Sequence, residues 1–194
     1  SELVYRGGKA EHLEGGVRVD AFARWPGVIE AGSAAGDIIH VADLYTTFAR
    51  IGQATEFIPR DRIIDGVDQT ALLLEGEGNG RRDYVYIYEG PLLRSVVKQD
   101  FKMHLPAPGV PGAGAAVYNL LRDPREEAPV MPLVAQSVWS SASFQDMVKR
   151  HMMMMVKYPH APLAKGIPYG GIENLRPESQ NAVEVFSSWQ PPKK

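Results

Sequence analysis

A chain of 194 residues, 44% of them hydrophobic and with a formal net charge of −2, is long enough to bury a sizeable core and too apolar to stay disordered. The charge balance gives no support for a nucleic-acid partner, and no apolar run approaches the ~20 residues of a membrane span. The absence of cysteine excludes disulfides, thiolate metal sites and cysteine nucleophiles within the chain. It begins at Ser1 with neither an initiator Met nor a signal-peptide pattern, which reads as processed, truncated or cut from a longer polypeptide.

Two glycine pairs, Gly7-Gly8 and Gly15-Gly16, bracket a polar segment carrying Lys9, Glu11, His12 and Glu14. Glycine pairs permit positive φ and close backbone approach, so this segment reads as a loop that delivers a side chain inward. Residues 17–25 then set Val17, Val19, Ala21, Ala23 and Trp25 against Arg18, Asp20, Phe22 and Arg24, a period-2 pattern that predicts a strand ended by Pro26-Gly27. Taken together, Gly-Gly-Lys, then Glu-Gly-Gly-Val-Arg-Val, then an apolar strand closing on Arg-Trp-Pro-Gly resemble the C-terminal part of the sulfatase family. Members of that family hydrolyse sulfate esters on an alkaline-phosphatase-like fold. Asp20 departs from the pattern, since sulfatases usually have proline there.

The resemblance implies a formylglycine nucleophile, made from a Cys or Ser in a Cys/Ser-X-Pro/Ala-X-Arg motif, and a calcium-type divalent ion held by carboxylates and amides. Both belong to segments upstream of the Gly-Gly-Lys loop, and neither motif is present in this chain. The sequence therefore reads as the last third or so of a sulfatase, with no cofactor of its own.

Further along, residues 28–36 form a Gly/Ala/Ser-rich connection. Val41, Leu44, Tyr45, Phe48 and Ile51 fall on one face of a helix, with Asp37 as a cap and Gly52 as a stop. His40-Val41-Ala42-Asp43-Leu44-Tyr45-Thr46-Thr47 is similar to a helix start in sulfatases, and His40 and Asp43 are expected to tie this helix to neighbouring loops. Residues 63–69 and the leucine-rich 72–76 make a loop and a short apolar plug, again sulfatase-like. Gly-rich, charged residues 75–82 mark a boundary, which divides the chain into 1–80, a segment of the large α/β domain, and 81–194, a small α+β subdomain with a tail.

Tyr84-Val85-Tyr86-Ile87-Tyr88 alternates aromatic and aliphatic residues, and residues 92–98, 101–105 and 117–121 are three more β-like runs. With Lys98-Gln99-Asp100 as a tight turn, the simplest assembly is a four-stranded antiparallel meander. A helix over residues 143–158 covers it through Phe144, Met147, Val148, His151, Met154, Met155 and Tyr158, starting at a Ser143/Asp146 capping pair and stopped by Pro159. Methionines 152–155 are expected to be gap-filling core residues with some turned outward. Asn119-Leu120-Leu121-Arg122-Asp123-Pro124-Arg125-Glu126-Glu127 resembles the segment closing the small sheet of sulfatases, and read locally it is a strand end, an Asp-Pro turn and a solvated charge run. Residues 106–116 form a long exposed loop, and the tail 160–194 is expected to wrap the surface, with a short helix near 181–189. The fold class is thus α/β, the C-terminal part of an alkaline-phosphatase-like sulfatase fold.

Lys9 is the first candidate for chemistry: the matching lysine of sulfatases contacts the sulfate group. His104 is the second, because some arylsulfatases place a histidine there facing the substrate pocket, where it can donate a proton. Both are assigned as catalytic and substrate-binding residues. His12 with Glu11 and Glu14 fits no dedicated metal site and reads as a loop anchor. Arg18 and Arg24 are expected to pair with carboxylates. The implied partner is a small sulfate ester or sulfated glycan, together with the missing N-terminal portion or a companion chain, and exposed apolar edges point to self-association. Alone, the chain is expected to be inactive. Two alternatives stand beside the sulfatase reading: a phosphonate or phosphate monoester hydrolase of the same superfamily, and a non-catalytic sulfatase-like module.

Overall fold

In the computed structural model, residues 4–106, 114–130 and 135–159 are described, with side chains omitted for 135–141. The expected tail 160–194, most of the loop 106–116 and the helix near 181–189 lie outside these residues.

The alternating aromatic and aliphatic residues from Tyr84 onward form the meander that they predict. Strands β1 (Tyr84–Glu89), β2 (Leu92–Lys98), β3 (Phe101–His104) and β4 (Ala116–Asn119) pair antiparallel in sequence order. Gln99-Asp100 closes the β2–β3 hairpin with Gln99 at φ 50°, the positive angle that a two-residue turn needs at its first central position. Register aligns Tyr86, Val96, Met103 and Val117 across all four strands on one face. Helix α4 (Ala135–Lys157) covers that face, placing Phe144, 1% exposed, on Val96, Met103 and Val117, with Met147 and Val148 alongside. Each such buried side chain contributes about 1.5–3 kcal/mol. His151 stacks on Tyr86 with ring centroids 3.9 Å apart, and its Nε2 shares a 2.5 Å hydrogen bond with the Tyr88 hydroxyl.

Helix α4 begins earlier than the expected capping pair at Ser143. No Gly or Pro interrupts residues 135–157, so nothing stops the helix from extending toward its N-terminus. Asp146 instead pairs with Arg150 one turn on, at 2.5 Å, and Ser143 Oγ accepts a bond from Lys98 Nζ at 3.3 Å. Met152 and Met153 point outward, as a continuous methionine run requires, but so do Met154 and Tyr158, which helical spacing predicts on the covering face: the contact with the sheet is made by Phe144, Met147, Val148 and His151.

The opposite face of the sheet is mixed. Val85, Ile87 and Val97 pack with Ile38 and Leu120, while Ser95, Lys102, His104 and Tyr118 supply polar groups. Between Ile87 and Tyr88 the register shifts, leaving Arg94 of β2 without a partner in β1.

Residues 17–25 do not form the expected strand. After the short helix α1 (Glu14–Val17) the chain makes no regular element, and Val19 and Phe22 are 85% and 97% exposed. Alternation makes a strand only where a neighbour supplies ladder partners, and no described strand reaches this segment. The turn after it does form, with Ile29 N–H donating to Trp25 O at 2.9 Å.

Helix α2 (Asp43–Ile51) stops at Gly52, as expected. Asp37 does not cap it: its carboxylate accepts the backbone N–H groups of Gly78 and Gly80, each at 2.9 Å. The apolar stripe also faces the other way. Val41, Leu44, Tyr45 and Phe48 are exposed, while Asp43, Thr46 and Thr47 are buried. Asp43 ties the helix to its surroundings, as its sequence context implies. Its carboxylate accepts from Arg82 Nη2 at 2.6 Å, Val67 N at 2.8 Å, His40 N at 2.9 Å and Gln69 Nε2 at 3.2 Å. Burial pushes its pKa up, but Arg82 and these N–H donors outweigh it and hold the group at about 2. Helix α3 (Thr70–Glu75) follows, docked through Gln69 N to Thr47 Oγ1 at 2.9 Å.

Candidate functional site

The segment between the glycine pairs is a tight turn resting on a closed base. Glu11 N donates to Gly8 O at 3.0 Å and Gly8 N to Glu11 Oε2 at 2.7 Å, which places Lys9 and Ala10 at the two central positions. Gly7 and Ala10 adopt φ 89° and 77°. Lys9 is not turned inward among the described residues, although its glycine frame predicts that: it stands exposed at the apex, with no hydrogen bond or ion pair among them. At the base, Gly15 N donates to Arg6 O at 2.8 Å. The second glycine pair is required by contact: a Cβ on Gly15 would lie 2.4 Å from Gly7 O, and one on Gly16 2.3 Å from Glu11 O.

Beneath this base lies a buried ionic cluster. Period 2 along Phe101-Lys102-Met103-His104 turns Lys102 and His104 to the face opposite α4. Lys102 is fully buried, and its Nζ lies 3.0 Å from Glu14 Oε1 and 3.2 Å from Glu126 Oε2. Glu126 also accepts from Glu14 N at 2.7 Å through Oε1 and from His104 Nε2 through Oε2, while its carbonyl accepts from Arg6 Nη2 at 2.6 Å. Burial would raise its pKa, yet His104, the Glu14 amide and Lys102 together hold it below the usual carboxylate range. Removing one partner from such a cluster strands a buried charge, at a cost of about 3–5 kcal/mol.

A second tether lies beside it. Glu89 Oε1 accepts both the backbone N–H of His12 at 3.0 Å and its Nδ1 at 2.8 Å, and Arg94, the bulged residue of β2, donates to Glu89 Oε2 at 2.9 Å. The His12 bond leads in pulling Glu89 below its ordinary pKa. His12 is thus a loop anchor. Among the described residues no group of three or more His, Cys, Asp or Glu side chains could hold a metal ion.

His104 sits at the end of β3 with its side chain 14% exposed. Its ring meets His12 edge-on at 4.8 Å between centroids and lies 4.6 Å from Tyr118. Nε2 is taken by Glu126, and Nδ1 makes no hydrogen bond among the described residues. Lys9 and His104 share no bond; His12 of the loop meets the His104 ring, and Glu126 hydrogen-bonds both His104 and the loop base. Arg18 pairs with Glu14 at 3.6 Å and lies over the Tyr5 ring. Sequence reading passed over Arg6, Glu89, Lys102 and Glu126. Strand alternation could have placed Lys102 beside His104, whereas nothing local separates Glu126 from the charge run around it.

No protein-family model matches the chain. Steryl-sulfatase of Rattus norvegicus is 30% identical over 160 residues, covering 68% of this chain and 27% of that protein. N-acetylgalactosamine-6-sulfatase of the same species is 26% identical over 212 residues, covering 95% of this chain and 36% of that protein. Among solved structures, the PsFucS1 sulfatase from Pseudoalteromonas sp. aligns with a TM-score of 0.73 at 32% identity, over 81% of this chain and 34% of that one. The chain spans about a third of the length of these relatives. Their alkaline-phosphatase-like fold accommodates the four-stranded sheet and its helix, and the agreement of sequence and structure establishes that the chain belongs to the sulfatases and corresponds to their C-terminal region.

Proposed function

We propose that this chain forms one wall of the active site of a sulfuric ester hydrolase and supplies Lys9 to bind the sulfate group. Negative charge redistributes onto the bridging oxygen as the S–O bond breaks, and an ammonium fixed near that oxygen stabilises the transition state more than the ground state. The observation that carries this reading is Lys9 itself: an unpaired cation at the apex of a turn whose base is glycine-locked and ionically clamped. His104, with Nδ1 unbonded, would face the leaving group from the sheet.

The calcium-type ion and formylglycine of the family do not fit onto these residues, since the chain has no Cys/Ser-X-Pro/Ala-X-Arg motif and the described side chains offer no metal group. They would come from polypeptide outside the chain, and the 194 residues alone would not turn over. The outward apolar face of α2 supports such a neighbour, either the remainder of a longer sulfatase chain or a companion subunit. The substrate would be a small sulfate ester or a sulfated glycan.

The test is Lys9→Ala in the full-length sulfatase carrying this chain. With an aryl sulfate, kcat is expected to fall about 100- to 1,000-fold, with a smaller change in KM. A fall of less than twofold would remove Lys9 from the site. Preference for an aryl phosphate over the sulfate would move the protein to the phosphate-ester branch.

A further inference from the structure

Glu126 sits in a left-handed conformation, φ 57°, in the turn after β4, and is 1% exposed. It is 112 residues from Glu14 and 120 from Arg6, yet it bonds both: its side chain accepts the Glu14 amide, and its carbonyl accepts the Arg6 guanidinium. Arg6 and Glu14 are the two feet of the turn carrying Lys9, already joined through Gly15 N–H to Arg6 O. One residue therefore grips both ends of the loop, and its second carboxylate oxygen holds His104. Lys102, buried under both glutamates, neutralises the carboxylate that makes these bonds. From this arrangement we infer that Glu126 is a positioning residue, which fixes the Lys9 ammonium and the His104 ring in one frame without touching substrate.

The inference rests on the sulfatase reading above and makes a separate prediction. A positioning residue acts through the group it positions, so its loss matters only while that group is present. In the full-length enzyme, Glu126→Gln is expected to lower kcat for an aryl sulfate about tenfold with KM little changed, and Glu126→Asp to recover part of it. In a background lacking both positioned groups, Lys9→Ala/His104→Ala, Glu126→Gln should change kcat less than twofold. An equal loss in both backgrounds would overturn the inference while leaving Lys9 as the sulfate ligand. A Lys9→Ala enzyme with undiminished activity would overturn the sulfate-binding reading itself.

Stranding Lys102 or Glu14 is avoided by making Lys102→Met/Glu14→Gln/Glu126→Gln, which removes the lysine and both carboxylates of the buried cluster, and repeating the same cycle. If neither variant folds, hydrogen exchange on the wild-type enzyme decides. Amides of Glu14 and Gly15 opening together with residues 116–126 support the clamp, and their opening far earlier overturns it.

Discussion

Helix α4 lays Phe144 against Val96, Met103 and Val117, whereas helix α2 turns Leu44, Tyr45 and Phe48 outward and buries Asp43, Thr46 and Thr47. Both carry an apolar stripe at helical spacing, so the difference lies in what each has to cover. The sheet gives α4 an apolar face already aligned by strand register. Around α2 the described residues offer Arg82, Gln69 and two loop amides, and the helix answers with its polar side. The region around the sheet closes on its own core, while the region before it leaves an apolar helix stripe exposed.

Three measurements on the 194-residue chain would break or sharpen that contrast. The largest effect belongs to Phe144→Ala, which should lower unfolding free energy by about 3–5 kcal/mol in denaturant titration, because it removes the centre of the packed face. Asp43→Asn should cost about 2 kcal/mol near neutral pH. The sign follows from its pKa: held at about 2 against an ordinary 3.8, the carboxylate contributes fully above pH 3.8 and loses that contribution as pH falls toward 2. Wild-type stability should therefore drop across that window, and the Asn variant should show a flatter acid limb. Smallest is Phe48→Ser, expected within ~0.5 kcal/mol of wild type in the chain alone. Were it to cost as much as Phe144→Ala, α2 would have a covered apolar face and the contrast would fail.

The meander was legible because Tyr84 to Tyr88 alternates and three more β-like runs follow at short spacing, and the hairpin Lys98-Gln99-Asp100-Phe101 leaves little choice of partner. Helix α2 was legible as a helix, with Gly52 ending it, but periodicity marks a stripe and says nothing about its neighbour. Residues 17–25 show the same limit from the other side, since an alternating sequence without a ladder partner stays irregular. At the candidate site, Lys9 stood out through its glycine frame, and His104 through the resemblance. Glu126 did not, because its burial depends on Lys102 and Glu14, which lie 24 and 112 residues away along the chain. A charge run is ordinarily solvated, and only the fold selects the one member that is not.

The long reach of Glu126 also sets an order of events during synthesis. The residue that grips the Lys9 loop leaves the ribosome more than a hundred positions after it, a delay on the order of ten seconds at ordinary translation rates. Until then the turn has its own glycine contacts and, once residues 89 to 102 have emerged, the Glu89 and Lys102 bonds, so the full set of contacts around the lysine loop is complete only after Glu126 follows.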